Sequence, residues 1–163
     1  MIKEKKIDVI VEMDTDLSSH PRELPKNIKF FKKEKLDLLI MSRYLPGSKI
    51  INWPLRRRIF SFFSNKLANF LLKANVSDYT MGYRIYSKKA VIQIANNCGK
   101  VGSGFIVLSE ILAELCYNNY KIKDTKTTFI NREKGDSTVG FKLIYESLIG
   151  IFKIYFKYRR IKI

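Results

Sequence analysis

"IDVIVEMDTDLSSHP", residues 7–21, decides how the chain is read. Ile7 to Met13 are mostly apolar and β-rich, as in a strand covered on both faces of an α/β sheet. Asp14 and Asp16 follow at once, and Ser18, Ser19 and His20 lead into Pro21 at the place of a first helical turn. Leu24, Ile28 and Phe31 then recur at helical spacing. Two carboxylates therefore stand where a buried strand gives way to a helix. If strand geometry runs through them, both point the same way. A hard divalent cation takes such oxygens together with water and phosphate oxygens, so one reading is a metal–diphosphate site. A solvated turn in which an Asp caps the next helix fits the same residues.

Working outward, "LDLLIMSRY" (36–44) reads as a second buried strand, ended by Arg43 and followed by a Pro46-Gly47 turn. Strand, helix and strand make a βαβ unit with the acidic pair at the carboxyl end of its first strand. From Pro54 to Lys73, Ile59, Phe62, Phe63, Leu67, Phe70 and Leu71 mark a helix whose first turn holds Arg56, Arg57 and Arg58. Cations there oppose the helix dipole, which suits either an anionic partner or a solvated basic face. A loop and short strand over 77–87, a helix over 88–97 and a glycine-punctuated "GKVGSG" (99–104) follow. Next come a helix over 105–118, a strand over 120–130 and a polar loop over 131–140. With no internal repeat or low-complexity linker, this is one α/β domain, residues 1–140, with residues 141–163 as its C-terminal helix.

In that helix Phe141, Ile144, Tyr145, Leu148, Ile149, Phe152, Tyr155 and Phe156 share one stripe, and Lys142, Glu146, Lys153, Lys157 and Arg160 share another. The pattern fits a helix lying in an anionic membrane interface, and equally one docked on the domain's own core. The apolar content, 46% of 163 residues, is enough for a real core and argues against disorder. A net charge of +16 favours polyanions: nucleic acid, anionic lipid or phosphorylated substrates. Nothing but that charge and the aromatic content speaks for nucleic acid, so none is expected. Cys98 and Cys116 form no CxxC and, with His20 the single histidine, no typical zinc site. Reduced, buried thiols in the cytoplasm are expected. No secretory leader and no apolar run of about 20 residues is present, so a peripheral rather than spanning membrane protein is expected.

"MDTDLSSHP", "SRYLPGS", "NWPLRRRIFS", "SDYTMGYRIYSKKA" and "NREKGDSTVG" occur in the order and spacing of one family. From about Ile7 to Lys157 the chain resembles the dolichol-phosphate mannose synthases and related bacterial polyprenyl-phosphate glycosyltransferases. These are family-2 glycosyltransferases of the GT-A fold, with a Rossmann-like mixed sheet. The resemblance implies that Asp14 and Asp16 bind Mg²⁺ or Mn²⁺ and the diphosphate of a nucleotide-sugar, with Arg43 also in the donor site. It implies catalytic roles for Asp14, Asp16, Asp78 and Glu110, and acceptor-phosphate roles for Arg57, Ser61, Arg84, Arg132 and Ser137. The implied reaction moves mannose from GDP-mannose, or glucose from UDP-glucose, to a polyprenyl (dolichyl) phosphate on a membrane, with inversion. A phosphate acceptor is already anionic at pH 7, so a chain with one histidine needs no strong base, only alignment and charge neutralisation. Two departures stand out: Thr138 where the family has lysine, and Phe62-Phe63 where a basic residue and glycine are common.

Members of that family begin with a βαβ half whose "P-x-Y-N-E" strand end binds the base, and nothing like it precedes Ile7. The resemblance thus implies the carboxyl-terminal part of such a domain, short by about 80–100 residues at roughly 30 per βαβ unit. A second chain supplying that half is then an expected partner, beside an anionic membrane surface. The alternative is a non-catalytic, membrane-associated interaction protein or subunit derived from the family.

Overall fold

The structure of the chain, a computed structural model, describes residues 7–16, 18–102, 104–131 and 141–160. At its centre β2 (Leu38–Ser42) buries all five residues, as its unbroken apolar run requires. It pairs with β4 (Arg84–Ser87) antiparallel, Leu38 opposite Tyr86, and with β5 (Ile122–Lys126) parallel, Leu38 opposite Ile122. β1 (Val9–Glu12) completes the order β1-β4-β2-β5, antiparallel to β4 with Glu12 opposite Arg84. The result is the expected mixed α/β domain.

The βαβ unit departs from expectation in one respect. β1 and β2 are parallel, but β4 lies between them. Ladders on both sides hold it there, and the Tyr86 hydroxyl adds a bond to Glu12 of β1 at 2.6 Å. The fully buried Arg84 guanidinium fixes the segment before it by donating to the carbonyls of Met81 (2.8 Å) and Tyr79 (2.8 Å), and reaches that of Leu108 (3.0 Å). β1 is left at the sheet margin, with Val9, Ile10 and Val11 only half-buried rather than covered on both faces.

The strand expected over 120–130 is two strands in two sheets. Thr127 is the break: it is buried, its hydroxyl donates to Glu23 at 2.6 Å, and its carbonyl accepts from the Lys49 N–H. Beyond it β6 (Thr128–Ile130) pairs in parallel with β3 (Lys49–Ile51), a strand with no signal in the sequence.

A short 3-10 turn, Pro21–Glu23, precedes α1 (Leu24–Lys33). The His20 ring caps that turn by accepting from the Arg22 N–H. α2 (Leu55–Leu72) fully buries only Asn65 and Ala68, while Leu55, Phe63 and Phe70 are exposed. α3 (Lys88–Asn97) starts at Ser87, whose hydroxyl accepts from the Ala90 N–H. α4 (Phe105–Tyr117) buries Ile111 to Leu115 in succession and is the core helix.

α5 (Phe141–Arg160) packs on α4 and α2. Gly150 lets it approach: a Cβ there would run into the side chain of Ile106. Ile151, Ile154 and Tyr158 are buried against the core, the Tyr158 hydroxyl donates to Glu114 at 2.6 Å, and Lys157 pairs with Glu110 at 3.0 Å. Of the stripe read from the sequence, Tyr145, Ile149, Phe152 and Phe156 face outward. The inner side of the helix is thus docked on the domain's own core, and the outward side leaves these four residues exposed.

Cys98 and Cys116 are both thiols, half-buried rather than fully buried. Burial, and then the charges of Glu110 and Glu114, push the Cys98 thiol up to about 12. Among the described residues no helix is long and apolar enough to cross a membrane.

Candidate functional site: one edge of the sheet

Because β1 and β2 run parallel and β4 runs against them, the residues after β1, those after β2 and the loop before β4 meet at one edge. Asp14 and Asp16 arrive from β1, Arg43 from β2, and Asp78 to Gly82 from the loop. This is the carboxyl edge of the parallel strands, where α/β sheets place their ligands.

Arg43 and Asp78 form the buried centre. The guanidinium donates through Nε to Oδ2 at 2.7 Å and through Nη2 to Oδ1 at 2.8 Å, and the Arg43 backbone N–H donates to Oδ2 at 3.1 Å. Nη2 also donates to the Thr80 hydroxyl at 2.8 Å. Three rings enclose the cation: its Cζ lies 5.0 Å from the centroid of Trp53, 5.4 Å from Phe129 and 5.5 Å from Tyr44. Burial works against the charge, but the carboxylate and its hydrogen bonds outweigh burial and raise the arginine's pKa. Trp53 and Phe129 have no counterpart in the sequence reading, because they reach Arg43 from a turn before α2 and from β6.

Asp14 is exposed at the mouth of the same edge. Burial of part of its surface and then the charge of Asp16 raise its pKa, against the opposing pull of Arg43. Asp16 Oδ1 accepts from the Ser18 N–H at 3.0 Å, so it shapes the turn while the helical cap falls to His20. Among the described residues no group of three or more His, Cys, Asp or Glu side chains gathers as a metal cage. Two adjacent carboxylates, one with its charge disfavoured by the other, do suit a hard cation that brings diphosphate and water oxygens with it.

The remaining sequence-derived residues divide. Arg57 and Ser61 lie in the first two turns of α2. Asn65 ties that helix to the loop: its amide donates to the Ser61 carbonyl at 2.8 Å and its oxygen accepts from the Tyr79 N–H at 2.6 Å. Arg84 sits beside the edge, but its guanidinium is buried and donates to the three carbonyls already named. Glu110 is fully buried between the Gly99 N–H, at 2.8 Å, and Lys157, which places it in the α4–α5 packing. Arg132, Ser137 and Thr138 lie outside the described residues.

The model of the glycosyl transferase family 2 matches residues 2–95. The chain is 31% identical over 149 residues to the undecaprenyl-phosphate mannosyltransferase of Micrococcus luteus, covering 91% of this chain and 60% of that protein. It is 32% identical over 143 residues to the polyprenol monophosphomannose synthase of Mycolicibacterium smegmatis, covering 88% and 53% respectively. It thus spans less than two thirds of the length of either relative.

Proposed function

The chain belongs to the glycosyl transferase family 2, and from that premise we propose that it serves the transfer of a sugar, mannose foremost, from a nucleotide-sugar to a polyprenyl phosphate. The observation that supports this most is the meeting of Asp14, Asp16 and the Arg43–Asp78 pair at one sheet edge, next to the start of α2 with its arginines. In this reading Asp14 and Asp16 hold Mg²⁺ or Mn²⁺, which when bound neutralises the leaving diphosphate. Arg43, held rigid by Asp78 and its rings, fixes the floor of the edge beneath the two carboxylates. Arg57 and Ser61 on α2, with Arg132 and Ser137, orient the acceptor phosphate. No general base is required, since the phosphate nucleophile is already ionised.

The acceptor is a membrane lipid, and two faces suit a lipid surface. The outward stripe of α5 and the exposed side of α2 carry Tyr145, Phe152, Phe156, Leu55, Phe63 and Phe70, and α2 and α5 pack on each other. We place the chain peripherally on the cytoplasmic face of an anionic membrane.

Calorimetric titration of GDP-mannose in the presence of Mn²⁺ tests the reading. Metal-dependent binding that disappears in Asp16→Asn supports it, and binding unchanged in that variant removes the metal assignment. Vesicle binding with no nucleotide affinity in the unaltered chain would favour the interaction-protein alternative.

A further inference from the structure

We propose that Gly82 is a positioning residue whose missing side chain sets where the Asp14 carboxylate stands; the functional importance of that placement rests on the donor-site reading above. A Cβ built on Gly82 would lie 3.3 Å from both Asp14 Oδ1 and Oδ2, and its three nearest atoms beyond the adjoining residues all belong to that carboxylate. Contacts that tight force one partner to move by a few tenths of an ångström. Gly82 is not among the glycines of positive φ, so the backbone there accepts any L-residue. Glycine is needed at this position for space, not for conformation.

Which side yields follows from how each is held. Met81 and Tyr83, on either side of Gly82, are buried. The Met81 carbonyl accepts from Arg84, and the Tyr83 carbonyl accepts from the Met41 N–H at 3.1 Å. Asp14 is an exposed side chain beyond the end of the marginal strand β1. A methyl group at position 82 therefore displaces the carboxylate and leaves the loop in place. Placement matters where two carboxylates must share one cation: a misplacement of about 1 Å in a catalytic site costs on the order of 100-fold in rate, and a shift of a few tenths of an ångström correspondingly less.

The test compares the unaltered chain, Gly82→Ala, Asp14→Ala and the double variant in two measurements. The first is the ¹³C resonance of the Asp14 carboxylate without metal, assigned by its loss in Asp14→Ala. The second is Mn²⁺ affinity, with thermal midpoints recorded alongside. Gly82→Ala is expected to move the carboxylate resonance, weaken Mn²⁺ binding about 3- to 10-fold and leave the midpoint unchanged. In the Asp14→Ala background Gly82→Ala is expected to add no effect. An unmoved resonance overturns the proposal, as does an equal loss of Mn²⁺ affinity on adding Gly82→Ala to Asp14→Ala. If the unaltered chain binds no Mn²⁺ while Gly82→Ala still moves the resonance, Gly82 keeps its positioning role and the donor-site reading fails.

Discussion

Arg43 and Asp78 leave water together, and each is tolerable only because the other neutralises it. Arg43→Ala is expected to destabilise the chain by about 3–5 kcal/mol in urea unfolding, because Asp78 stays buried with no countercharge. A loss below about 1 kcal/mol would contradict the pairing. Arg43→Lys keeps the charge but loses the two-pronged bond, so it falls between. Asp14 behaves in the opposite sense. Its raised pKa means that ionisation disfavours the fold, a penalty fully present at pH 7 and lost as pH falls through the usual carboxylate range. Asp14→Asn is therefore expected to stabilise the metal-free chain at pH 7, by well under about 1 kcal/mol given the group's exposure, with no gain near pH 3. Thermal midpoints at the two pH values check both the sign and its disappearance. Asp14, Asp16, Arg43 and Asp78 were legible in the sequence because each sits at a strand end or in the loop before a strand. Trp53, Phe129 and Gly82 were not, since the cage and the close approach exist only once segments far apart in sequence are folded together.

Among the elements, the helices read most clearly because apolar spacing extends over many residues, and α2, α4 and α5 lie within a residue or two of where that spacing put them. The short strands read poorly. β3 and β6 have three residues each, too few for a period, and the split at Thr127 depends on Glu23 reaching it from the turn before α1. The insertion of β4 between β1 and β2 likewise rests on long-range pairing with both strands. The outward turn of the α5 stripe has a local cause: the opposite side offers Gly150, Ile151, Ile154 and Tyr158, a flatter surface that fits closely on α4. Gly150→Val is expected to cost about 1–3 kcal/mol by overpacking against Ile106, read as a lower urea midpoint. Lys157→Met is expected to cost a similar amount by leaving Glu110 buried without its cation. No change in either variant would mean that α5 is not docked as described.

Over the whole molecule, the proposed membrane face combines a charge of +16 with the exposed rings on α2 and α5. Sedimentation with vesicles is expected to show binding that rises with anionic lipid, weakens with salt and falls several-fold in Phe152→Ser/Phe156→Ser. Retention on neutral vesicles, unaffected by salt or by that double variant, would contradict the membrane face. The central claim is narrower: the sheet edge formed by Asp14, Asp16 and Arg43 holds a metal–diphosphate. Trp53 is the only tryptophan in the chain and lies 5.0 Å from the Arg43 guanidinium, so its emission reports on that edge directly. The most direct measurement is a titration of Mn²⁺ with inorganic diphosphate followed by Trp53 fluorescence, in the unaltered chain and in Asp16→Asn. The account predicts a saturable, metal-dependent change that Asp16→Asn abolishes. Emission that never changes, or changes equally in both proteins, would contradict it.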